Sequence, residues 1–158
     1  MNWTAACGAG VAAAVMSTVV QVALWAALTD ALPAVLWRDG RLAAAIVLGP
    51  GVLEPPAAFD ARVMVVATLV HGVLSIVYAV VLAVLAGRLR LAPAVIAGSL
   101  FGVALYVINL YGFTALFPWF AVDRDGITLA AHVTFGLCAS ATYWWLARRT
   151  RVAAGGRF

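Results

Sequence analysis

His71 and His132 each stand inside a long apolar run of this sequence. Imidazole changes charge near neutral pH, ligates haem iron and both donates and accepts hydrogen bonds, so these two residues are where chemistry is sought first. Each belongs to a polar stripe with helical spacing. Thr68, His71, Ser75 and Tyr78 fall on one face, and Thr128, His132, Gly136, Ser140 and Tyr143 repeat the pattern. The likeness of the two stripes hints at a duplicated two-helix unit. Ser99, Gly102, Tyr106, Asn109 and Phe113 make a third stripe, and Gly10, Ser17, Gln21 and Leu24 a fourth. Counted from the outer ends of their runs, Gln21, His71, Asn109 and His132 lie about seven to nine residues in. At a rise of about 1.5 Å per residue they form one polar layer roughly 10 to 14 Å below the outer boundary.

Several chemistries fit that layer. Hydrogen bonds between such side chains are ordinary glue between membrane helices, with small residues such as Gly136 and Ser140 permitting close approach. His71 and His132 could instead clamp a b-type haem between diagonal helices, with Arg62 and Arg124 near the propionates. The layer could also relay protons or bind a small solute, although no carboxylate lies within the runs. An enzymatic role has the least support: there is no HExxH, no carboxylate pair within the runs and no partnered nucleophile, so no catalytic residue and no resident metal are assigned.

The elements that must position these residues follow from composition. Of 158 residues, 66% are hydrophobic and 10% charged, with mean hydropathy +1.07. A soluble domain carries about a quarter charged residues, so this surface must face lipid. Four spans of about 20 to 25 residues use most of the chain and exclude a soluble catalytic domain. They are expected at about 4–28, 62–86, 93–117 and 126–147, as an all-α, up-down-up-down four-helix transmembrane bundle in a single domain. The outer loop is 30–61. The start of the chain lacks a basic n-region and its apolar run exceeds a signal core, so it is read as the first helix. Cys7 and Cys138 lie in apolar runs and are expected as buried thiols.

Charge sets the orientation. One side holds Arg88, Arg90, Arg148, Arg149, Arg151 and Arg157 and no acid; the other holds Arg38, Arg41, Arg62 and Arg124 with every acid in the chain. Six arginines against four place both termini in the cytoplasm. Trp37, Phe117, Trp119 and Phe120 then mark the outer interface, and Trp144 and Trp145 the inner one. In the outer loop, Leu42 to Leu48 is too short to span, and Gly49-Pro50-Gly51 and Pro55-Pro56 interrupt it. An interfacial or re-entrant segment within about 40–53, or a helix packed on the bundle, is expected there. The net charge of +4 follows topology, and no nucleic-acid partner is implied.

The runs RLAAAIVLGP (Arg41 to Pro50), YGFTALFPW (Tyr111 to Trp119) and TLAAH (Thr128 to His132) resemble a group of small proteobacterial inner-membrane proteins of uncertain function, some labelled sodium:proline symporter. The resemblance covers most of the chain and implies an inner-membrane location, but it brings no site residues with it. Symporters of the labelled kind need more helices, including broken ones around sodium. The expected role is therefore structural or accessory, within a homo-oligomer or a larger membrane complex in the lipid bilayer, without a predicted cofactor. The haem carrier and the small transporter are the alternatives.

Overall fold

Asn2, Asp60 and Asp125 each stand immediately before an apolar run, and each starts a helix by accepting a hydrogen bond from a backbone N–H three residues on. Asn2 Oδ1 takes the N–H of Ala5 at 3.0 Å, Asp60 Oδ1 that of Val63 at 3.1 Å, and Asp125 Oδ1 that of Thr128 at 2.8 Å. The computed structural model describes residues 1–155, with side chains through Thr150. Of the arginines used for orientation, Arg157 and the side chain of Arg151 lie outside the described residues.

The helices are α1 (Trp3–Leu28), α2 (Ala34–Leu48), α3 (Ala61–Ala86), α4 (Leu91–Val107) and α5 (Gly126–Gly155). Among the described residues the chain is all-helical, with short turns of 3-10 helix at Pro50–Leu53, Phe113–Ala115 and Pro118–Asp123. Three stretches are long and apolar enough to cross a membrane: Trp3–Leu28, Ala61–Ala86 and Leu91–Ala115.

α1 runs antiparallel to both α3 and α5. Gly10 meets Ile76 across the first interface, while at the N-terminal end Asn2 Nδ2 donates to Thr150 Oγ1 at 2.8 Å across the second. α5 lies between α1 and α4 and carries the most polar residues of the long helices, so its neighbours cover what lipid would not accept. The core is built from small side chains. Ala5, Ala6 and Ala9 pack on Ala83, Tyr143 and Ala147, and Ala13, Ala79 and Ala139 pack with Leu82, Leu105 and Phe135. With no bulky side chain between them, backbones nearly touch. A Cβ on Gly10 would lie 2.7 Å from the Ile76 Cα, and one on Gly136 would collide with the Gly98 carbonyl.

Three expectations change. Cys7 is exposed and Cys138 half-buried, because the covered line of α1 runs through Ala5, Ala6, Ala9 and Ala13 and leaves Cys7 outside it. The third apolar run keeps α-helical geometry only to Val107. Ile108–Gly112 then widens into a π turn and Phe113–Ala115 tightens into a 3-10 turn, so the stripe Ser99, Gly102, Tyr106, Asn109 and Phe113 loses its register and Phe113 ends exposed. The helix of the outer loop begins at Ala34, well before the apolar run at Leu42. Its residues Arg38-Asp39-Gly40-Arg41 look like a turn in sequence. They are helical, and Gly40 passes close to α3, where a Cβ would meet the Met64 Sδ at 2.8 Å. α2 covers the N-terminal part of α3, through Ala44 against Val63 and Ala67.

Candidate functional site

The hydrogen-bond directions around His132 follow from one fixed acceptor. His132 Nδ1 lies 2.8 Å from the Thr128 carbonyl, which can only accept, so Nδ1 carries the proton and Nε2 is the acceptor. Asn109 Nδ2 lies 3.3 Å from Nε2 and donates to it. That orientation leaves Asn109 Oδ1 to accept the Tyr78 hydroxyl at 2.8 Å. A chain of three side chains, Tyr78, Asn109 and His132, thus ties α3, the π turn and α5 together. The edge of Tyr106 packs on the His132 ring at 5.8 Å between centroids. The π turn matters here, because it aims Asn109 from the end of α4 into this contact.

The other residues of the expected layer and stripes stand outside that hydrogen-bonded chain. Among the described residues the half-buried Gln21 makes no side-chain hydrogen bond, and His71 is not part of the chain. His71 is exposed although Ala67 and Ser75, one helical turn to either side on the same line of α3, are buried. Thr68 is exposed and its hydroxyl returns to the Met64 carbonyl at 2.8 Å. Ser75 is buried where Gly10 crosses α3, and Ser140 is buried beside Gly98, its hydroxyl on the Leu137 carbonyl at 2.9 Å. Thr128 is buried and acts through its backbone. Tyr143 sits at the other end of the bundle, where its hydroxyl accepts the Asn2 N–H at 3.4 Å.

A bis-histidine haem needs two free imidazole nitrogens facing one slot. Both nitrogens of His132 are engaged. Arg124, cast as a propionate partner, donates from Nε to the Leu110 carbonyl at 2.8 Å and from Nη2 to Thr114 Oγ1 at 3.1 Å, and lies over the Tyr111 ring at 4.4 Å. It thereby satisfies backbone freed where α4 unwinds. In this arrangement His132 and Arg124 find their partners within the chain itself.

A second cluster was not foreseen from the sequence. Where α2 meets the 3-10 turn before α5, Arg38 Nη2 pairs with Asp123 Oδ1, and the carboxyl groups of Asp39 and Asp123 lie within hydrogen-bonding reach of each other. Trp119 Nε1 donates to the Leu42 carbonyl at 3.1 Å beside them. Asp123 is 4% exposed. Burial, reinforced by the charge of Asp123 and opposed by Arg38, pushes the Asp39 carboxyl up to about 8; burial likewise raises Asp123, against the pull of Arg38. Arg41 faces the other way, donating from Nη1 to the Val52 carbonyl at 2.7 Å and from Nη2 to that of Ala58 at 2.8 Å, which holds the loop after α2. The signal for this cluster was the gathering of every acid on the side that also holds the apolar segment.

No family model, curated protein or solved structure matches this chain.

Proposed function

We propose that this chain is a small integral protein of the bacterial inner membrane in which α1, α3, α4 and α5 form a four-helix transmembrane bundle with both termini cytoplasmic, and that it serves as a structural or accessory subunit of a homo-oligomer or larger membrane assembly. The bilayer environment rests on the three apolar helices. α5 joins them as a fourth span because its Thr128, Ser140 and Tyr143 are buried and its neighbours on either side are α1 and α4. The accessory role rests on one observation: the Tyr78, Asn109 and His132 side chains are hydrogen-bonded to one another and to backbone, so the polar groups of the interior hold helices together instead of facing a guest. Affinity purification in mild detergent tests it. A discrete complex with partners, or further copies, at fixed stoichiometry is the expected result; a lone monomer at every detergent and lipid ratio overturns the reading.

One observation favours a transport reading as the second: His71 is open on an otherwise buried line of α3. Proton flux into liposomes carrying the purified chain, lost in His71→Ala while the fold is kept, would raise that reading above the first.

A further inference from the structure

An ionised carboxylate only accepts hydrogen bonds, so two carboxylates in hydrogen-bonding reach need a proton between them. Asp39 from α2 and Asp123 from the turn before α5 are such a pair, and they join segments far apart in the chain. The groups around them leave little freedom in the charge count. From α2 comes Arg38, paired with Asp123, while Arg41 is turned to the Val52 and Ala58 carbonyls. From the α4–α5 link come Asp125, which caps α5 at Thr128, and Arg124, which is turned to Leu110 and Thr114. From α3, Asp60 caps its own helix at Val63 and Arg62 is exposed. Among the described residues Arg38 is therefore the one cation set against Asp39 and Asp123, with Asp125 adding negative charge nearby. With a single proton between them the two acids carry one negative charge, which Arg38 balances. A second negative charge would be left without a counter-ion at a junction where Asp123 is already buried. A metal ion is a poorer occupant than a proton, because among the described residues no three His, Cys, Asp or Glu converge to hold one.

We propose that Asp39 and Asp123 form a one-proton site that latches α2 onto the link between α4 and α5, and that loss of this proton loosens that junction. The site does not depend on the accessory role. α2 stays packed on α3 through Gly40 and Ala44, while its hold on the link runs through Arg38, Asp39 and the Trp119 to Leu42 hydrogen bond.

Two measurements on the purified full-length chain in lipid nanodiscs test the latch. Infrared difference spectra should show the carbonyl band of a protonated carboxylic acid at about pH 6 that disappears with a midpoint near 8, and Asp39→Asn should lack it. Spin labels at Val47→Cys and Leu116→Cys, both exposed positions, in a Cys7→Ser, Cys138→Ser background, should give a narrow distance distribution at about pH 6 that broadens at about pH 10. In Asp39→Asn the amide replaces the shared proton as donor, and the distribution should stay narrow at both. Should that variant fail to fold, Asp123→Asn supplies the same donor from the other side, with the same expected result. Absence of the acid band at about pH 6, a distance that ignores pH in the unmutated pair, or broadening that persists in the amide variant each overturns the latch.

Discussion

Asn109 is the residue on which the interior chain turns, since it is the only one of the three whose two polar atoms each face a different helix: Oδ1 the Tyr78 hydroxyl of α3, Nδ2 the His132 ring of α5. Tyr78→Phe removes one hydroxyl and should lower stability by about 0.6 to 1 kcal/mol, the scale of one hydrogen bond between membrane helices. Asn109→Leu leaves both the tyrosine hydroxyl and His132 Nε2 unpaired and should cost more, about 1.5 to 2 kcal/mol. Denaturant titration in mixed micelles checks the order; equal losses would mean that the two bonds do not form one unit. Asn109 and His132 were legible in the sequence as neighbours because both positions follow from counting residues along uninterrupted apolar runs. His71 was legible as a position on the right line, but its exposure was not, since that depends on how far neighbouring helices stand away from α3. The Asp39 and Asp123 pair was not legible at all. Arg38 and Asp123 are 85 residues apart, and nothing local tells an acid next to an arginine that its partner is another acid.

Among the elements, the starts of α1, α3 and α5 are set by Asn2, Asp60 and Asp125, whose side chains need only local geometry to cap them. The end of α4 is not set locally. Asn109-Leu-Tyr-Gly112 has no proline to mark a break, and the π turn there is stabilised from a distance by Arg124 on the Leu110 carbonyl. The crossing of α4 on α5 is the tightest in the molecule to depend on missing side chains. Gly98 faces Ser140 and the Gly136 carbonyl, Gly102 faces the His132 backbone, and Gly136 faces the Gly98 carbonyl. Gly136→Leu must push backbone away from backbone and should cost at least about 3 kcal/mol, the upper end of overpacking penalties. Gly72, on α3, has nothing within 4 Å of an added Cβ, so Gly72→Ala should leave packing intact and gain about 0.5 to 1 kcal/mol from helix propensity. Thermal unfolding of both variants in one detergent separates close packing from mere glycine content; similar shifts would refute the crossing.

For the whole molecule, the charges left at the two ends decide both its response to pH and its direction in the membrane. Asp39 holds its proton up to about 8 when folded, against an ordinary value of 3.8, and Asp123 is shifted in the same direction. Between those values the folded chain binds more protons than the unfolded one, so the stability the latch contributes is complete below about pH 4, falls as pH rises and is gone above about pH 8. Asp39→Asn should flatten this decline in a series of thermal midpoints. Orientation is a separate consequence of the same distribution. The end that holds Arg88, Arg90, Arg148 and Arg149 has no acids and stacks its arginines on aromatics, Arg148 over Trp144 at 4.1 Å and Arg149 over Trp145 at 3.6 Å, as expected of side chains at a headgroup boundary. In the proposed topology basic residues would retain that end in the cytoplasm during insertion whatever pairing they later adopt, so Arg38 would count for the opposite side even though it finishes beside Asp123. Changing Arg88, Arg90, Arg148 and Arg149 to glutamine turns the balance from six against four to two against four. A C-terminal reporter that works only in the cytoplasm should be active on the unmodified chain, and one that works only outside should be silent. In the quadruple variant the outside reporter should become active several-fold above background. Outside activity on the unmodified chain would reverse the proposed direction, and with it the side of the membrane from which Asp39 and Asp123 exchange their proton.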